Sequence, residues 1–150
     1  MKIEDLRIGN YVDVVVNDNG ATTRCKVESF AHETNFAELK DITGSSVISV
    51  STDDTWALVK EVATTENELK NLGFTYDPGL YLDMFSIKGA WFFYEAIVGK
   101  HCDHYELFIE EDAVLHIYKG IPVPSIHLLQ NAVADNYGYR LIRRSSKQML

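Results

Sequence analysis

His127, Gln130 and Asn131 stand three and four residues apart, a spacing that puts an imidazole and two carboxamides on one side of a helix. Such groups read a ligand or a partner's backbone through hydrogen bonds, and they serve equally to satisfy loop carbonyls in an interior. A second set of donors, His101-Cys102-Asp103-His104, is competent to hold a metal. Adjacent donors on one short loop rarely converge, and zinc sites draw ligands from paired segments, so no metal is expected. Glu110-Glu111-Asp112 offers carboxylates for acid/base work, but side chains at a hairpin turn mostly solvate it. His32 and His116 lack the neighbouring nucleophile and orienting acid of a triad. Ser145-Ser146 has no GxSxG setting, and the chain has no P-loop or GxGxxG. No catalytic residue and no cofactor are expected.

The aromatic run Trp91-Phe92-Phe93-Tyr94 is a different kind of candidate. Alternation along a strand sends Trp91 and Phe93 to one face and Phe92 and Tyr94 to the other. One pair belongs to a core, and the other is available to a helix, a partner or a stacked base. The candidate ligand- or partner-binding residues are therefore His127, Gln130, Asn131, Trp91 and Phe93.

The elements that must position these groups follow from pattern. Tyr11 to Val16 is β-branched and ends at Asn17-Asp18-Asn19-Gly20, a hairpin signal. A return strand over 22–29 alternates polar Thr22, Arg24, Lys26 and Glu28 with Thr23, Cys25, Val27 and Ser29. Strands over 35–40 and 46–51 follow, and 58–62 supplies a fifth that closes the sheet. This predicts a small antiparallel β-barrel or meander, SH3-like, over residues 1–62. Thr65 and Glu68 then predict a capped helix that ends at Gly73, with Phe74 folded back on its last turn. Strands over 80–87, 91–98, 105–109 and 114–118 predict a four-stranded antiparallel sheet, with loops at 99–103 and 110–113. A closing helix carries Ile126, Leu129, Val133 and Tyr137 on one stripe and stops at Gly138, with an edge strand at 139–142. The fold class is α+β, with a second unit over 63–143 and a basic tail over 144–150.

Composition bounds the function. Hydrophobic residues are 46% and charged residues 24%, ordinary values for a globular chain. No apolar stretch approaches the roughly 20 residues needed to span a bilayer, so no membrane is expected. Acids at Glu4 and Asp5 stand where a secretory signal would place its apolar run, which predicts a cytoplasmic protein. Cys25 and Cys102 are far apart and outside any CxxC, so both are read as reduced thiols. The net charge of −8 repels phosphate backbones, and nucleic acid is disfavoured. Only the end of the chain, with Arg140, Arg143, Arg144 and Lys147, runs the other way.

Three segments in order along the chain carry a resemblance. Leu6-Arg7-Ile8-Gly9-Asn10-Tyr11-Val12, then Val62 to Phe74 with its Thr-Glu and Gly-Phe elements, then Ile126-His127-Leu128-Leu129-Gln130-Asn131 ending at Gly138 resemble a family of short proteins of Bacteroides-type gut bacteria and their prophages. Ala63 departs from the proline of the second motif, Leu128 from the first glutamine of the third, and Tyr137 precedes the final glycine. The resemblance implies a bacterial or phage origin and one continuous architecture, and it implies no reaction. The first expectation is a non-enzymatic interaction or adaptor module that binds another protein or its own copies. The alternatives are a nucleic-acid-associated accessory protein of a mobile element, acting through the basic tail or as an acidic DNA mimic, and a small hydrolase or metal enzyme.

Overall fold

The computed structural model describes residues 1–44, 46–79, 82–88, 95–112 and 114–144. The chain divides into two compact units, Met1–Val62 with Ser125–His127, and Ala63–Pro124 with Leu128–Leu150. Most of the regular structure is antiparallel sheet, joined by few helices, which makes the chain α+β. No helix among the described residues is long and apolar enough to cross a membrane.

In the first unit β1 (Tyr11–Val15), β2 (Thr22–Ala31), β3 (Phe36–Asp41) and β4 (Val47–Val50) form a meander. A short helix α1 (Asp53–Trp56) follows, and β5 (Val59–Lys60) returns to β1, giving the order β4-β3-β2-β1-β5. The hairpin between β1 and β2 turns at Gly20, whose φ of 83° suits glycine alone at low cost. Period-two alternation turns Val12, Val14, Cys25, Val27 and Leu39 inward, where they are buried with Leu6, Ala37, Val50 and Trp56. On the opposite face Asp13 and Arg24, directly paired across β1 and β2, form an ion pair at 2.6 Å. Helix α1 is absent from the sequence expectations although its cap is a strong one. Thr52 and Thr55 exchange side-chain and backbone hydrogen bonds in a capping box. Trp56 is thereby turned inward, and its indole N–H donates to the Asn35 carbonyl at 2.7 Å.

In the second unit α2 (Glu66–Asn71) is capped by the Thr65 hydroxyl, which accepts from the Glu68 N–H. It ends as the sequence suggests. Gly73 has φ of 99°, its N–H reaches the Lys70 carbonyl, and the Phe74 N–H reaches the Leu69 carbonyl, the paired bonds of a Schellman close. Among the described residues five strands follow rather than four: β6 (Thr75–Pro78), β7 (Asp83–Lys88), β8 (Glu95–His101), β9 (His104–Asp112) and β10 (Ile117–Pro122), in the order β10-β9-β8-β7-β6. The unforeseen strand β6 is exposed throughout and carries no alternating apolar signal, so pairing with β7 alone defines it. The residues expected to form a loop at 99–103 are mostly strand. His101 pairs with His104, and a two-residue turn is possible because Cys102 adopts a positive φ of 56°. Phe85, Val98 and Leu107 stand in register across β7, β8 and β9 as the buried row of this sheet.

Helix α3 (Ile126–Tyr137) ends at Gly138, with Ile126, Leu129 and Val133 buried. The edge strand expected at 139–142 is not formed. There Leu141 is buried and its carbonyl accepts from the Gln130 side chain, which replaces a ladder bond.

Candidate functional site

The helix trio lies in the interior. His127 is 1% exposed, and Gln130 and Asn131 are buried as well. The His127 Nδ1 is 3.2 Å from the Ser125 hydroxyl, and the Gln130 Nε2 donates to the Leu141 carbonyl at 3.0 Å. Among the described residues no buried polar side-chain atom lacks a partner, so these groups satisfy the chain's own backbone and side chains. Burial pushes the His127 pKa below its ordinary value, against the carboxylates of Glu61 and Asp5, which pull it up. Trp91 and Phe93 lie outside the described residues.

The other donor sets do not come together as chemistry. His101 and His104 face each other across the tight turn of β8 and β9, and no group of three His, Cys, Asp or Glu among the described residues gathers to hold a metal. Glu110, Glu111 and Asp112 belong to β9 itself, so the turn expected at 110–113 is displaced toward the C-terminus. The sequence pattern reads 114–118 as a strand, but residues 114–116 form the turn and β10 begins at Ile117.

That displaced turn is the feature that stands out. The Asp112 carboxylate accepts from the backbone N–H groups of Val114 at 2.9 Å and Leu115 at 3.0 Å, which fixes the turn. His116 then takes a positive φ of 53°, unusual for a residue with a β-carbon, and the pairing shifts register between Ile117 and Tyr118. The result presents Val114 at 86% exposure and Leu115 at 67%, followed by Ile117 at 46% and Tyr118 at 53%. Glu110 and Glu111 are exposed beside them, and the Glu110 carboxylate is 3.8 Å from the His116 imidazole. Four large apolar side chains within five positions are thus held out by an ordered turn with an acidic flank. An Asp two residues before an apolar pair was the available signal, since that carboxylate caps a turn. The strand-like apolar composition of 114–118 concealed it.

Compared with protein-family models, with curated proteins and with solved structures, the chain matches none of them.

Proposed function

We propose that this protein is a non-enzymatic protein-interaction module that inserts the Val114-Leu115 turn into an apolar pocket on a partner protein. The observation that carries this reading is the turn itself, fixed by Asp112 while its two apolar side chains stay in water. Burying each of them against a partner is worth about 1.5–3 kcal/mol, and an ordered turn loses little entropy on docking. Glu110, Glu111 and Asp112 select a pocket with a basic rim. The same acids disfavour a second copy, because a self-paired tip would bring like charges together. Strand addition along β10 is disfavoured too. Lys119, Pro122 and the register shift at Ile117 are the devices that blunt a sheet edge.

We read the first unit as an SH3-like sheet, on the grounds of its meander and of the short helix before a last strand that returns to β1. The three family-like segments support an origin in a Bacteroides-type bacterium or its prophage. A photo-crosslinking residue placed at Leu115 tests the interaction. The expected result is one dominant adduct from position 115 and none from the exposed Val16, the residue after β1. Equal labelling from both positions, or none from either, overturns the proposal.

A further inference from the structure

We infer that the second unit carries a site for a phosphate group, in a cleft of about 400 Å³ between Gly73 and the adjoining ends of β6, β7 and β8. Its chemistry comes from Thr75, Ser86, Lys88, Glu95 and Arg144. Register explains the grouping: Thr75 stands opposite Ser86 and Lys88 opposite Glu95, and Ser86 and Lys88 share a face of β7. Two hydroxyls and a charged pair therefore stand side by side.

Arg144 is placed there by design of the backbone. Its N–H donates to the Asn71 carbonyl at 2.7 Å, and the preceding Arg143 guanidinium holds the Glu68 carboxylate at 3.2 Å. The Arg144 guanidinium then lies against Gly73, where a β-carbon would come within 2.6 Å of its Nε. Gly73 thus serves two ends, the positive φ of the helix close and the room for this side chain. Among the described residues Arg144 has no carboxylate partner, whereas Lys88 faces Glu95 across the ladder. The cleft accordingly has one cation in surplus.

A guanidinium with paired N–H groups, a lysine ammonium and two hydroxyls are donors suited to the oxygens of a compact oxyanion. Glu95 adds an acceptor, which suits the P–OH of a phosphate monoanion and has no use for a bare carboxylate. Free phosphate and the phosphate of a modified side chain share this chemistry.

The test is a titration of the full chain at constant ionic strength with inorganic phosphate, O-phosphoserine and acetate, following the amide resonances of Gly73, Thr75 and Ser86. Saturable shifts with phosphate, absent with acetate, are expected. Tighter binding of O-phosphoserine would identify a modified protein as the source, and tighter inorganic phosphate a free ion. Arg144→Ala should weaken binding by roughly tenfold or more. Ser86→Ala, a smaller change at a partly exposed position, should weaken it to a lesser degree with the fold intact. Shifts that do not saturate, that acetate reproduces, or that Arg144→Ala leaves unchanged would overturn the inference.

Discussion

His127 is held neutral by burial, and that has a consequence for stability. In the unfolded chain the imidazole titrates near about 6.5, and in the folded chain it takes a proton less readily. The unfolded state therefore binds more protons as pH falls, so the His127 contribution is full above that pH and is lost as pH falls through it. Asp41, whose carboxyl is held low by hydrogen bonds from Thr43, titrates in a more acidic window and does not obscure this one. The urea midpoint should fall between about pH 7.5 and about pH 5.5, and His127→Gln should flatten that slope. Identical slopes in the two proteins would contradict the assignment. The cysteines give a second contrast at this scale. Cys25 is fully buried in the first unit, and burial, with Asp41 and Asp13 nearby, pushes its thiol up to about 11, while Cys102 sits exposed on a turn. A thiol reagent should modify one cysteine in the native protein and the second only on unfolding. Equal rates for both would refute it.

Among the elements, the β9 to β10 turn carries local strain. A left-handed conformation costs a residue with a β-carbon about 1–2 kcal/mol, and glycine's greater unfolded freedom returns about 0.5–1 of that. His116→Gly should thus raise stability by up to about 1 kcal/mol, read from the urea midpoint. A loss would show that the contact of His116 with Glu110 outweighs the strain. How much of each element could be read in the sequence follows from the same local physics. The Asn19-Gly20 hairpin, the Thr65 cap, the Gly73 close and the stripe of α3 were legible because neighbouring residues impose them. Strand β6 was not, since Thr75-Tyr76-Asp77-Pro78 acquires its conformation only from β7. The turn at 114–116 was hidden because Val114, Leu115, Ile117 and Tyr118 look like a strand to be buried, and the Asp112 signal marks a turn without revealing that they stay in water. The candidate trio was legible as a helix face. Its interior role was one of the two readings, but the partner it satisfies was not legible, because that depends on distant residues such as Leu141.

At the scale of the whole molecule, the buried polar groups turn inward, and the two most exposed large apolar side chains of the described residues, Val114 and Leu115, share one turn. Buried histidine and carboxamide groups have internal partners, both thiols are unpaired, and the described residues gather no metal cluster. With a net charge of −8, the chain would attract the basic-rimmed partner of the proposed reading at long range, so association should slow as salt is raised. The decisive measurement is the affinity of the protein purified through its crosslink to position 115, titrated against wild type and against a Val114→Ser, Leu115→Ser variant. These side chains are exposed, so the variant should keep its stability within about 0.5 kcal/mol. The account predicts binding weakened by at least roughly tenfold in the variant. Equal affinity for the two proteins would contradict it.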